Sequence, residues 1–147
     1  MNQDLQDRLI EKYPEQFKNL KWIEIEDGWY DLLDRLCHLI KNELDHKARI
    51  NEPLKDFGWQ QIKEKFGGLR AYAFGGNDRI DGAISMAESM SYSICEFTGE
   101  KGKPRYHKRE EIKGEIIFVA AWIKTLSDKE ADRQGYVEVE LKKTLDT

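Results

Sequence analysis

Trp59-Gln-Gln-Ile-Lys-Glu-Lys-Phe-Gly67-Gly68-Leu-Arg-Ala-Tyr-Ala-Phe74 is the stretch that decides the fold of this 147-residue chain. Two runs of alternating apolar and polar residues flank a Gly-Gly pair, the pattern of a β-hairpin with a two-residue loop. With Gly67 and Gly68 as the loop, counting outward pairs Phe66 with Leu69, Lys65 with Arg70, Glu64 with Ala71, Lys63 with Tyr72, Ile62 with Ala73 and Gln61 with Phe74. The two-residue period of a strand then divides the faces. Ile62, Glu64, Phe66, Leu69, Ala71 and Ala73 share one; Gln61, Lys63, Lys65, Arg70, Tyr72 and Phe74 share the other.

Helical spacing brackets the hairpin. Trp29, Leu32, Leu33, Leu36, Leu39, Ile40 and Leu44 mark one face of a helix over 29–46, with Asp27 as its cap and the acids Asp31, Asp34 and Glu43 on the other face. Cys37 and His38 lie within it and diverge by about 100°, so they read as a buried thiol beside a boundary imidazole. Ile80, Ala83, Ile84, Ala87, Met90, Ser91 and Ile94 predict a second helix over 79–94, small-sided enough to lie close on the sheet. Upstream, Leu5, Leu9, Ile10 and Tyr13 predict a short helix that Pro14 ends. The segment 19–26 reads as an entry strand or an irregular clamp. Downstream, Gly99, Gly102 and Pro104 mark a knuckle-like turn, and His107 to Lys113 a charged excursion. Ile116 to Ile123 reads as a buried strand, Asp128 to Gln134 as a helical turn closed by Gly135, and Tyr136 onward as a last strand with Val137, Val139 and Leu141 inward.

These elements predict one α+β domain, a small, mainly antiparallel sheet with covering helices. Its parts are an N-terminal helix and arm (1–26), a helix-hairpin-helix core (27–94) and a knuckle with a terminal strand (95–147). Composition bounds the function. With 24 Lys or Arg against 28 Asp or Glu, the net charge is −4 and the isoelectric point near 5.5, so the molecule as a whole is not a polycation built for nucleic acid. No stretch approaches the ~20 apolar residues of a membrane span and the N-terminus lacks a basic-then-apolar leader, which predicts a soluble, cytoplasmic protein. Two cysteines exclude a disulfide scaffold. No nucleophile elbow, zinc-protease helix or phosphate-cradling loop is present, so the expectation is a non-enzymatic protein without a cofactor.

Residues Ile62-Lys-Glu-Lys-Phe-Gly-Gly-Leu-Arg-Ala-Tyr72, with Ser91-Tyr-Ser-Ile-Cys-Glu96, Gly99, Gly102, Trp122-Ile-Lys-Thr-Leu126 and the earlier Asp27-Gly28-Trp29, resemble a group of small proteins from phages, prophages and bacteria. The resemblance covers roughly 28–131, and the group carries no assigned reaction. Many members look like carriers of a zinc ribbon, with Cys-x-x-Cys after the helix and Cys-x-x-His near the end. Here Cys95 stands at the first ligand position, while Thr98, Ser127 and Glu130 stand at the other three. One thiolate and one carboxylate are too few for a tetrahedral structural site, so the resemblance implies a degenerate zinc-ribbon-like knuckle without zinc. Hydroxyl hydrogen bonds from Thr98 and Ser127 would keep its shape. The phage association implies an accessory, anti-defence role.

Three constellations are candidates for binding. In the counted register Lys65 faces Arg70, a like-charge pair that calls for compensation. A bound anion with Tyr72 and Phe74 offering ring faces is one source, and an acidic helix face (Asp31, Asp34 or Glu43) another. Gly75-Gly76 precedes a helix N-terminus, where an anion can sit unless Asn77 or Asp78 caps it. The ligand-binding set is therefore Lys63, Lys65, Arg70, Tyr72, Gly75 and Gly76. Lys101, Lys103, Arg105, His107, Lys108 and Arg109 form the one strongly basic run, a candidate contact for nucleic acid or an acidic partner, or a solvated loop. Glu64, placed on the apolar face, requires Arg79, a core-edge Lys or a different register. The expected partner is a host protein or a nucleotide-type ligand, with nucleic acid through the hairpin face and the basic run as the alternative, and a homodimer through exposed Trp or Phe as a third.

Overall fold

The computed structural model describes residues 1–54 and 56–138, with the backbone alone at 108–112 and 115–122. In chain order come α1 (Gln3–Lys12), α2 (Tyr30–Arg49), the hairpin strands β1 (Gly58–Lys65) and β2 (Gly68–Phe74), α3 (Asp78–Ser91), β3 (Lys103–Ile112), β4 (Glu115–Leu126), α4 (Asp128–Gln134) and β5 (Tyr136–Val137). The architecture is α+β: an antiparallel β1-β2 ribbon under helices, and a second antiparallel sheet in the order β4-β3-β5.

The helices follow their periodicity. Asn2 caps α1 by accepting from Leu5 N–H at 2.9 Å, and the helix stops ahead of Pro14 with Leu9, Tyr13 and Phe17 buried. On α2, Leu32, Leu33, Leu36, Cys37 and Ile40 are buried, and burial pushes the Cys37 thiol far above its ordinary range. Asp27 does not cap this helix, contrary to the sequence reading. Its carboxylate accepts from the backbone N–H and side-chain amide of Asn2 at 2.7 and 2.8 Å, tying down the N-terminus, and α2 starts from a 3-10 turn at Asp27–Trp29 instead. Trp29, fully buried, donates its indole N–H to Ile94 O at 2.8 Å, and Asn77, the cap of α3, donates to Glu43 at 2.9 Å. These two contacts join the start of α2 to the end of α3 and the reverse, so the helices run antiparallel.

The hairpin register differs from the counted one. Lys65 pairs with Gly68, Glu64 with Leu69, Lys63 with Arg70, Ile62 with Ala71 and Gln61 with Tyr72. The loop is Phe66-Gly67, with φ of 52° and 81°, the two positive values a primed turn needs, of which only the second falls on a glycine. Gly68 serves a different purpose: a Cβ there would lie 2.4 Å from the Tyr92 ring, so its bareness lets β2 approach the end of α3. Every pairing moves by two positions in sum, which preserves parity, and both faces survive except that Phe66 now sits exposed at the tip. A bulge between Trp59 and Gln61 turns Trp59 into the core. A left-handed bulky residue costs about 1–2 kcal/mol, and Asn tolerates that conformation, so Phe66→Asn should raise stability by about 1 kcal/mol in urea unfolding. No gain would mean that the tip ring contributes packing that its exposure conceals.

Both edges of the ribbon are closed. On β2, Leu69 N–H donates to Ser91 Oγ at 2.9 Å and Ala71 N–H to Glu88 Oε1 at 3.0 Å, so side chains of α3 satisfy donors that would otherwise template another strand. On β1, residues 22–25 add a short parallel bridge: Glu24 N–H donates to Ile62 O at 2.9 Å and Glu64 N–H to Glu24 O at 3.2 Å. The segment is thus a clamp, with Ile23 and Ile25 buried and Trp22 outward.

The second sheet corrects two expectations. Residues 107–112 are not an excursion but part of β3, the middle strand, whose charged side chains had hidden the strand pattern. On β5 the parity is reversed: Tyr136 is buried and Val137 half-buried, while Val139 and Leu141 lie outside the described residues. The strand expected at 116–123 is present within β4, and the burial of its side chains up to Trp122 also lies outside the description. Gly135, at φ 76°, closes α4 as expected.

Candidate binding surface

One face of the hairpin packs on the helices through Ile62, Leu69 and Ala71; the other is open. The observed register sets Glu24, Lys63 and Arg70 side by side across the clamp, β1 and β2; Gln61 and Tyr72 pair two residues further along the ribbon, with Phe74 beyond, and Trp22 precedes Glu24 by two residues in the clamp. Three rings are exposed there: Trp22 at 64%, Phe74 at 54% and Tyr72 at 44%. The strand rise separates Tyr72 from Phe74 by about 7 Å. Trp22 was missed as a site residue because the alternation of 20–25 can be read in either frame, and only the parallel bridge selects the one that turns it out.

The like-charge pair is Lys63 with Arg70, not Lys65 with Arg70, and two of the acids named as able to offset it, Asp34 and Glu43, are engaged elsewhere. Asp34 holds Lys12 at 2.8 Å and Tyr13 at 2.9 Å, and these contacts outweigh burial to keep its pKa below the ordinary value. Glu43 holds Asn77 and Arg79. Arg70 is steadied by the Leu69 carbonyl at 2.8 Å and by the Tyr92 hydroxyl at 2.9 Å, the second of which raises its pKa further, and its guanidinium lies 5.9 Å from the Tyr92 ring centre. Lys63 has Glu24 as its cross-strand neighbour, and among the described residues Lys63 and Lys65 form no ion pair; Lys65 rests 5.6 Å from the Phe66 ring centre. Gly75 and Gly76, at φ 71° and 96°, shape the turn into α3, where Asn77 itself accepts from Ile80 N–H at 3.0 Å. The helix end is therefore capped from within by Asn77.

The basic run is divided by its strand. Arg105 is buried, donating to Leu126 O at 3.1 Å and pairing with Asp128, while Lys103 pairs with Glu138 at 2.8 Å. His107 packs edge-on against Tyr136 with ring centres 5.1 Å apart. The side chains of Lys108 and Arg109 lie outside the description. The run is thus neither a loop nor, at Arg105 and Lys103, a set of unpaired cations.

Below the hairpin tip lies an ionic cluster in which Lys124 is the core-edge lysine that Glu64 called for, while Glu96 is a member that sequence reading did not anticipate. Lys124 on β4 stands 3.4 Å from Glu64 and 3.3 Å from Glu96, which is only 1% exposed and whose second carboxylate oxygen has no partner among the described residues. Glu64 also accepts from Gly67 N–H at 2.8 Å, so its partners are the turn and Lys124, not Arg79. Burial pushes the Glu96 pKa up to about 7, aided by Glu64 and Glu26 and opposed by Lys124. Thr125 Oγ1 donates to Gly67 O at 2.6 Å, so the cluster and the turn dock as one joint.

The knuckle gathers around Cys95. Burial raises its thiol, but the Thr98 hydroxyl and the N–H groups of Ser127, Thr98 and Phe97 more than offset this and bring the pKa below the ordinary value. Thr98 Oγ1 also accepts from Glu100 N–H, and Ser127 Oγ from Glu130 N–H, both at 3.3 Å. Glu130 accepts from Arg133 and Gln134. Among the described residues no three His, Cys, Asp or Glu side chains cluster to hold a metal, and no helix is long and apolar enough to cross a membrane. Comparison with family models, curated proteins and solved structures finds no match to this chain.

Proposed function

We propose that this protein is a non-enzymatic binding protein whose open hairpin face takes a nucleotide-type anionic ligand, in its extended form an unpaired strand of nucleic acid. The observation that carries the reading is the exposure of Trp22, Tyr72 and Phe74 on the same face as Lys63, Lys65 and Arg70. Rings stack on bases without regard to sequence, and the cations meet the phosphates between them. An unwalled face suits an extended strand better than an enclosed small molecule. The net charge of −4 confines attraction to this face, so affinity rests on stacking more than on long-range steering. The phage-type resemblance sets this activity in an accessory, anti-defence role, in which holding a strand or nucleotide withdraws it from a host system.

Titration of a fluorescent single-stranded oligonucleotide tests this, with duplex DNA as competitor. Binding should quench tryptophan fluorescence, Trp22→Ala and Tyr72→Ala should each weaken it by about 1–3 kcal/mol, or roughly tenfold to a hundredfold, and Lys63→Gln should reduce the salt slope by about one. Absence of binding at low salt, or binding indifferent to both ring substitutions, overturns the reading and moves the face to a protein partner.

A further inference from the structure

The helical side of the molecule, away from the open face, carries its own unexplained surface. Between α2 and α3 runs an apolar groove of about 330 Å³ lined by Leu32, Leu36, Leu39, Met86, Ala87 and Met90. Leu39 is 57% exposed, Met86 63% and Met90 47%, a concentration of bare apolar area that solitary surface residues do not produce.

We propose that this α2/α3 face joins a second copy of the chain about a two-fold axis, with α3 antiparallel to its counterpart and Met86 on the axis. The sequence along each helix is self-complementary under that operation. A two-fold contact places residue i against j and j against i, so the pattern on either side of the centre must match itself in reverse. On α3 the outward stripe is Gly82, Met86, Met90, spaced by four. Centred on Met86, it sets each Gly82 against Met90 of the second copy, a bare position against a long flexible side chain. A Cβ at Gly82 would meet nothing within 4 Å in the single chain, so the space is open.

The companion stripe on α2 is Asp31, Arg35, Leu39, Asn42, His46, with Leu39 beside Met86 in the groove. Reversed about Leu39, it brings Asp31 toward His46 of the second copy and Arg35 toward Asn42. Within the single chain, Asp31 and Arg35 form no ion pair among the described residues, and Asn42 uses its amide nitrogen on His38 at 3.3 Å, leaving its carbonyl oxygen to accept from Arg35. Apolar centre, small-to-large flanks and polar ends that match in reverse as hydrogen-bonding pairs identify a second copy as the occupant. This surface is independent of the hairpin face.

Light scattering on size-exclusion fractions over a concentration series tests it. The wild type should move from monomer to dimer as concentration rises, and Met86→Glu should remain monomeric with its unfolding midpoint at high dilution unchanged. Gly82→Gln discriminates further: a better helix former should stabilise the monomer, yet its side chain occupies the space for Met90 and should abolish the dimer. Met86→Cys, on the axis, should form a disulfide-linked dimer under mild oxidation, since Cys37 and Cys95 are buried. A wild type that stays monomeric throughout, or a dimer that persists in both Met86→Glu and Gly82→Gln, overturns the proposal.

Discussion

Gly28→Ala is expected to destabilise this protein by about 3 kcal/mol or more and to leave little folded material at physiological temperature. A Cβ at Gly28 would stand 2.3 Å from the Cys95 carbonyl oxygen and 2.5 Å from that of Glu96. Both obstacles are backbone, so no side chain can rotate away. The Gly28 N–H also donates to Glu96 O at 2.7 Å, and a Cβ at Gly99 would stand 3.1 Å from the Gly28 carbonyl oxygen. Any relief must draw the 26–29 turn off the knuckle, and Trp29, fully buried with its indole on Ile94 O, would move with it. Thermal unfolding followed by circular dichroism reads this directly. A midpoint within a few degrees of wild type would show that the turn and the knuckle are not in the contact described.

The second large effect is a pH dependence set by Glu96. Its folded pKa, near 7, lies above the ordinary 4.5, so the folded state holds a proton that the unfolded chain releases. The sign follows: the contribution to stability is fully present below pH 4.5 and is lost as pH rises through 7. At 1.36 kcal/mol per unit the loss is on the order of 3 kcal/mol. Asp34, Glu130 and Glu138 shift the other way, and their contributions disappear only in acid, below this window. Glu96→Gln should therefore gain on the wild type steadily between pH 5 and 7 in denaturant unfolding, then hold a constant difference. Lys124→Met at pH 8 should do the opposite, costing about 3 kcal/mol by leaving the buried Glu96 and the half-buried Glu64 without a counter-charge. A difference between Glu96→Gln and wild type that stays flat with pH would show that Glu96 is hydrated.

The two predictions meet at one joint. Gly28 binds the Glu96 carbonyl, the Glu96 side chain reaches Lys124, and Lys124 with Thr125 holds the hairpin turn at Glu64 and Gly67. Two groups of buried side chains, one under the α2/α3 pair and one around Cys95, Leu126, Ala131 and Tyr136, are fastened here by polar contacts.

Periodicity and punctuation in the sequence determined the α+β class, the helices around Leu36 and Ala83, the hairpin and its two faces, and the stops at Pro14 and Gly135. Each of these rests on repeats of 2 or 3.6 residues, or on the backbone limits of Pro and Gly, which act within a few positions of the chain. Tertiary structure decided the rest. Which glycine turns and which permits contact depended on Tyr92, 24 residues from Gly68. The outward frame of Trp22 depended on a bridge to β1, and the strand character of 103–112 on pairing with β4 and β5. The partner of Glu64 was Lys124, sixty residues away. Pair choice between distant residues is set by which surfaces the whole chain brings together, and no local repeat records it.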